Sequence, residues 1–396
     1  MQAAATSPDR TDWPLILLMW LAGLGTAGQY AKISVIYDQL PEIYPHAGSA
    51  LGFAVSLVGT VGIALGVVAG LLVGRIGPRR AVLAGLTLGA ALSFAQAPFP
   101  PLPVFLALRV LEGAAHLALV VALPTLIAQV ATERDRGLAL SLWSTFFAVA
   151  FTLLTWIGLP FAARAGLGAL IAAHGGVMAI MALVLARRLP VVMAAPQPVR
   201  LAELLAVHAR IYSDPAISAP ALGWLFYTLA FLAVLTVIPP YLPEDMRALT
   251  LGAMPLMSIA ASLTLGVWLM NRLGPVTVVI LGFVLCALIS VALWAAPGAP
   301  VLALALGAAL GLVQGGSFAA VPVLTETPDT RALANGGLAQ MGNLGNTLGT
   351  PVMATVLLGM GYGGLMGVLA VTFGLGAATH LALAASRRRH SAQKRL

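Results

Sequence analysis

The sequence predicts an all-α membrane protein, with twelve transmembrane helices in two six-helix, pseudo-symmetric halves. Three observations carry that prediction. Of 396 residues, 60% are hydrophobic and 9% charged, where a soluble globular chain carries about 25% charge. Apolar stretches of about 20 residues, each long enough to cross a bilayer as a helix, follow one another from Trp13 to about Ala385. Short motifs also recur at half the chain length. The period-two alternation of a transmembrane β-barrel is missing from the sequence.

Proline, glycine and charge divide the chain into spans. The first six are expected at about 14–37, 50–73, 80–97, 102–130, 138–161 and 167–186. The leading MQAAATSPDRTDWP has no basic region ahead of a short apolar core and cleavage site, so the first span is expected to stay in the membrane. The connector APFPPLP after the third span is turn-like and uncharged. After the sixth span comes RRLPVVMAAPQPVRLAELLAVHARIYSDP, which starts with proline and basic residues and turns amphipathic around LAELLAVHARI. It is expected to be a cytoplasmic linker with a surface helix. The second six spans are expected at about 216–241, 250–270, 275–296, 300–324, 335–360 and 363–385. The domains are therefore an N-terminal half (1–186), a linker (187–215) and a C-terminal half (216–396) with the basic tail RRRHSAQKRL.

Lysine and arginine set the orientation. With the N-terminus cytoplasmic, 17 of the 21 basic residues fall inside, only Arg164 and Arg247 fall outside, and Lys32 and Arg109 lie within spans. Both termini are thus expected on the cytoplasmic side of a bacterial inner membrane. The formal charge of +8 is accounted for by this topology signal and the tail, so the bilayer is the expected partner and nucleic acid is not. The single cysteine, Cys286, excludes an intrachain disulfide and CxxC chemistry.

Two matches carry the repeat. Arg75, Gly77 and Pro78 of GRIGPRR reappear 197 residues later as Arg272, Gly274 and Pro275 of NRLGPVT. Gly113, His116 and Pro124 reappear 198 residues later as Gly311, Gln314 and Pro322. Duplicated bundles of this kind hold a substrate site near the midplane, between halves that open alternately.

Twelve spans, a 6+6 duplication and the loop Gly70…Gly74-Arg75-x-Gly77-x-Arg79-Arg80 resemble the major facilitator superfamily over about 14–385. The pattern is G-x-x-x-[D/G/N]-R-x-G-[R/P]-R, and Gly74 stands where the family usually has an aspartate that helps latch the outward-open state; Asn271 is its counterpart. Arg109 and Gly113 match a second hallmark, R-x-x-x-G on the fourth span. The antiporter hallmark of the fifth span is missing from SLWSTFFAVAFTLLTW, which favours import over export. The stretch LEGAAHLALVVALPTLIAQ is similar to a branch containing copper and riboflavin importers. Copper members of that branch carry Met-x-x-x-Met and His-x-x-x-Met motifs on the seventh and eighth spans, which this sequence lacks.

Three ionisable residues, Arg109, Glu112 and His116, stand three and four apart on the fourth span and so share one helix face. At 1.5 Å per residue, Arg109 lies about 10 Å and Glu112 about 15 Å into the membrane. A charge there costs at least about 2.5–3.5 kcal/mol and normally faces protein or a wet cavity. One reading is an Arg109–Glu112 pair that only holds helices together. The other is proton coupling through Glu112, with Arg109 beside it, because a buried carboxyl next to a guanidinium can gain and lose a proton as its surroundings change. Lys32 either snorkels to the interface or faces the cavity, where with Arg109 it would favour an anionic or carbonyl-rich solute.

The family resemblance implies that the first, fourth, seventh and tenth spans line the cavity. Further substrate-binding candidates are Gln29, Tyr30, Trp143, Phe146, Tyr227, Phe231, Gln314, Gln340, Asn343 and Asn346. No metal is expected; Met254 and Met257 are the weak candidates, since thioethers suit Cu(I), but packing is the stronger reading of them. No phosphate-binding GxxxxGK[ST], HExxH or GxSxG motif occurs, and no cofactor is expected. The expectation is a monomeric secondary transporter of a small solute with protons. An exporter, a copper or riboflavin importer, and a membrane enzyme or channel are the alternatives.

Overall fold

The structure, a computed structural model, describes residues 10–190 and 201–393. Residues 1–9, residues 191–200 of the expected linker and the last three residues of the basic tail lie outside the described residues. No strand occurs among the described residues. The long helices are α1 (Trp13–Ser34), α2 (Gly48–Ile76, with 3₁₀ turns at Leu57–Gly59 and Gly66–Val68) and α3 (Pro78–Gln96). They continue with α4 (Leu102–Val130), α5 (Glu133–Ala165) and α6 (Leu167–Arg188). After the linker helix Leu201–Ser213 come α7 (Pro215–Val237), α8 (Glu244–Leu273), α9 (Pro275–Ala295), α10 (Pro300–Leu324) and α11 (Pro328–Gln393).

Ten stretches of the described residues are long and apolar enough to cross a membrane, against twelve expected. Two features account for the difference. Helix α3 starts with Arg79 and Arg80 and ends in Gln96, so its composition is diluted below that of its neighbours. Helix α11 runs for 66 residues with a non-helical break at Gly361 (φ 65°, ψ −168°), where the sequence separates the eleventh and twelfth spans; positive φ there favours glycine.

Several helices also outrun their apolar cores. Helix α5 begins at Glu133 rather than 138, because Thr132 caps it by accepting from Asp135 N, and Glu133 and Asp135 suit the positive end of the dipole. Helix α8 begins at Glu244 rather than 250, with Glu244 and Asp245 in its first turn. Hydropathy marks the apolar part of each helix, and these helices extend beyond it.

The described residues form two compact units, one within 10–33 and 69–190, the other within 34–68 and 201–393. In the first, Ile16 and Met19 of α1 pack with Leu119, Leu123, Leu126 and Ile127 of α4. Gly23 makes room for Trp143, whose ring would stand 2.6 Å from a Cβ there. In the second, a row of Gly307, Gly311 and Gly315 on α10 faces Met254, Ser258 and Ser262 on α8, and a Cβ at Gly307 would come 2.6 Å from the Met254 carbonyl. Small residues thus let two backbones touch where apolar area supplies no drive within a lipid. Gly52 of α2 lies against Pro351 of α11 in the same manner, with 2.6 Å between a Cβ and the proline Cα.

Gly77 (φ 91°) and Gly274 (φ 79°) each form a one-residue turn followed by proline at the next helix start. Positive φ suits glycine, and proline suits the first helical position. The two loops matched in sequence thus share one backbone conformation.

Candidate functional site

Lys32, Arg109 and Glu112 meet in the first unit with none of their side-chain surface exposed. The Lys32 ammonium lies 2.6 Å from Glu112 Oε1, and Arg109 Nη1 pairs with Glu112 Oε2. Gln96 Nε2 donates to the same oxygen at 2.8 Å. The second Arg109 nitrogen, Nη2, donates to the Gln29 carbonyl at 2.7 Å. The i,i+3 spacing on α4 brings Arg109 and Glu112 together as expected. Lys32 differs from both expectations: it neither snorkels nor faces open space, because the Glu112 carboxylate and Ser93 draw its ammonium inward.

The donor pattern around Lys32 is fixed by chemistry. His174 Nε2 lies 2.7 Å from the Gly25 carbonyl, so that nitrogen carries the hydrogen and Nδ1 accepts. Ser93 Oγ therefore donates to His174 Nδ1 at 2.9 Å and accepts from Lys32 Nζ at 2.7 Å. Lys32 also lies 3.5 Å from His174 Nδ1. Four helices, α1, α3, α4 and α6, supply this network.

His116, one turn beyond Glu112, lies with Nδ1 3.1 Å from Gln29 Oε1 and 3.2 Å from the Thr26 carbonyl. Its ring meets Tyr30 edge to face at 5.1 Å between centroids. Six of the expected residues, Gln29, Tyr30, Lys32, Arg109, Glu112 and His116, are thus brought together. Three buried polar atoms in this group, Gln29 Nε2, Tyr30 OH and Gln96 Oε1, have no hydrogen-bond partner. Trp143 and Phe146 stack at 4.4 Å beside the α1–α4 core. The other flank of His174 lines an apolar groove of about 470 Å³ between α1, α5 and α6, with Leu154, Ile157 and Phe161 on its wall.

The second unit holds an uncharged counterpart. Tyr227 OH on α7 donates to Gln314 Oε1 on α10 at 3.2 Å, and Ser258 Oγ on α8 reaches the same oxygen at 3.4 Å. Trp224 stacks on Tyr227 at 4.3 Å, and Tyr227 on Phe231 at 5.3 Å. Gln340 stands apart from them: its Oε1 accepts from Tyr212 OH on the linker helix at 2.7 Å. Its Nε2 contacts the Ile63 carbonyl at 3.1 Å and His208 Nε2 at 3.0 Å. Asn343 turns back to the Ala339 carbonyl, and Asn346 is half-buried. The three-residue spacing of these amides does not give them common partners. Met254 is buried on Gly307 whereas Met257 is 39% exposed, so the two thioethers do not converge on one point.

In the loop before α3, Arg79 caps α6 by donating to the Ala186 and Leu189 carbonyls. Arg75, Arg80 and Gly70 are exposed, and a Cβ at Gly70 or Gly74 would meet nothing within 4 Å.

Sequence reasoning missed Ser93, Gln96, His174, Trp224 and Ser258. A lone histidine in an apolar span, LIAAHGGVM, is the strongest available signal; it lies on the sixth span, outside the first, fourth, seventh and tenth to which the family resemblance points.

With this geometry in hand, the comparisons decide the family. The Major Facilitator Superfamily model matches residues 15–326. The chain belongs to that superfamily. It is a multi-pass membrane transporter and not an enzyme. The fold is similar to the partially occluded inward-open conformation of the xylose transporter XylE from E. coli. The TM-score is 0.71 at 18% identity, covering 92% of this chain and 95% of that one. No curated protein matches the sequence.

Proposed function

We propose that this superfamily member is a proton-coupled secondary transporter importing a small polar or anionic organic solute by alternating access, with the Lys32–Arg109–Glu112 cluster as its coupling site. The observation that carries the reading is two cations sharing one carboxylate with no exposed side-chain surface. Charge buried in a membrane span costs several kcal/mol unless paired, and residues that keep it mark ion and proton routes. The surplus positive charge favours an anionic solute, and the unpartnered Tyr30 hydroxyl and Gln29 amide beside it are candidates to bind it. Tyr227, Phe231 and Gln314 are the candidates in the second unit.

The same proposal includes twelve spans, counting α3 and dividing α11 at Gly361, in halves 1–186 and 216–396. It includes a monomer in the inner membrane of a bacterium with both termini cytoplasmic. The resemblance to a xylose transporter supports the fold; the solute is read from the cluster.

The test has two steps. A thermal-shift screen of organic anions, vitamins, xylose and Cu(I) on purified protein identifies a solute. Proteoliposomes then measure its uptake under an imposed pH gradient. The expected result is accumulation in the wild type, and its loss with retained exchange in Glu112→Gln. Accumulation at the wild-type level in Glu112→Gln makes the cluster structural and sinks the coupling role.

A further inference from the structure

We propose that the proton handled by this cluster is carried on Lys32, with Ser93 and His174 as its relay, while Glu112 stays ionised as the fixed counter-charge. This rests on the proton-coupling reading and specifies which atom does the work.

The charge count points to Lys32. Arg109 keeps its proton under all ordinary conditions. With Lys32 and Arg109 charged and Glu112 ionised, the buried cluster carries one net positive charge. Protonating Glu112 would leave two buried cations with no anion. Deprotonating Lys32 leaves the Arg109–Glu112 pair neutral as a unit. Unpaired buried charge is the costly state, so the transition that removes it is the one at Lys32.

Hydrogen-bond direction gives the same answer by a separate route. Every group on Glu112 is a donor: Lys32 Nζ on Oε1, and Gln96 Nε2 with Arg109 on Oε2. A proton placed on either oxygen would face another hydrogen. Lys32, in contrast, leads into an acceptor chain at 2.7 Å to Ser93 Oγ and 2.9 Å onward to His174 Nδ1. The remaining titratable and charged groups around it are Arg109 and His116 from α4 and Tyr30 from its own helix.

The step balances. One Nζ–H bond of Lys32 breaks as Ser93 Oγ takes that proton, and the Ser93 O–H bond breaks as Nδ1–H forms on His174. Ser93 then donates back to the Lys32 lone pair, and His174 Nδ1 donates to Ser93, so each contact keeps one hydrogen while the positive charge moves from lysine to imidazole. Lys32 keeps a hydrogen on Glu112 Oε1 throughout. A water molecule entering along the α1–α5–α6 groove that His174 lines takes the proton from the imidazolium and completes the discharge.

The chain contains two lysines, Lys32 and Lys394, which makes the test unusually direct. Full-length protein in lipid is labelled with nitrogen-15 at lysine Nζ and carbon-13 at glutamate Cδ, and Lys32→Arg and Glu112→Gln assign the signals. As pH rises through neutrality, the Lys32 signal is expected to move from ammonium to amine before that of Lys394, with the Glu112 signal held at the carboxylate position. In His174→Phe, hydrogen exchange at Lys32 Nζ is expected to slow; unchanged exchange removes His174 from the relay. A Lys32 that stays ammonium overturns the assignment, as does a Glu112 that titrates instead. The wild-type spectrum decides this even where a variant fails to fold, and it needs no solute. A titrating Lys32 together with no gradient-driven uptake would remove the coupling reading while leaving the Lys32 assignment intact.

Discussion

The two units treat matching sequence positions in opposite ways. Tyr30 and Tyr227 lie 197 residues apart, and His116 and Gln314 lie 198 apart. In each unit the member on the earlier helix is an aromatic that touches the polar member on the later one: Tyr30 packs on His116, and Tyr227 bonds to Gln314. The charges are not repeated. At the same offset of 198, Arg109 and Glu112 fall on Gly307 and Leu310. Gly307 serves close contact with α8, and Leu310 is 1% exposed. Where the first unit stores ionic interactions, the second stores backbone proximity. A polar aromatic pair is common to both, and among the described residues the buried ion pairs lie in one.

The largest effect expected from breaking this contrast is at Glu112. Glu112→Ala leaves Lys32 and Arg109 buried without a counter-ion, and losing one partner of a buried pair costs about 3–5 kcal/mol. Thermal unfolding of purified protein should show it as the least stable single variant of the cluster. Lys32→Met and Arg109→Ala should each be milder, because either leaves one cation paired with the carboxylate. Arg109→Ala proving worse than Glu112→Ala would mean that Lys32 is not a working partner of Glu112.

Leu310→Glu puts a carboxylate at the matched position of the second unit with no cation supplied by Gly307. It should cost about 2.5–3.5 kcal/mol, the range for an unpaired charge in a span, read as a lower melting temperature and a lower yield of monodisperse protein. Wild-type stability would show that this position reaches water. Gly311→Leu tests the other half of the comparison, since its side chain would enter the Ser258 backbone; overpacking of this sort costs about 1–3 kcal/mol. A melting temperature equal to the wild type's would remove the claim that α8 and α10 depend on contact through glycine.

The smallest expected effect on stability is at Gly74→Asp. Nothing lies within 4 Å of a Cβ there, so stability should stay within about 0.5 kcal/mol, as at ordinary surface sites. The added acid restores the usual family residue of this loop. It is expected to raise the labelling of cysteines introduced near the outer ends of the spans and lower it near the inner ends. Unchanged labelling would show that the acid has no latch to engage here.

Much of the fold was legible because a membrane imposes length and apolarity on each helix, and the 3- and 4-residue spacing of Arg109, Glu112 and His116 was readable on one face. The partners of Lys32 were not legible. Glu112 is 80 residues away and His174 is 142, and helices that are apolar all round carry no periodic stripe to say which face turns toward a neighbour. Ser93 and Gln96 are common residues at a helix end, where bonding to the local backbone or to water is the ordinary outcome. Helix starts at Glu133 and Glu244 escaped for a different reason: their first turns are polar, and hydropathy does not register them.

The turn at Gly77 has a consequence for how the chain is made. Helix α3 carries two arginines at its start and falls short of the apolarity that its neighbours have, so it is poorly equipped to leave the translocation machinery for lipid unaided. A single residue separates it from α2. With so short a tether, α3 is expected to enter the bilayer together with α2 rather than alone, so its own shortfall in apolarity should matter less than it would in an isolated helix. Gly77 is therefore expected to matter during biosynthesis, and a longer linker at that position should lower the yield of inserted protein.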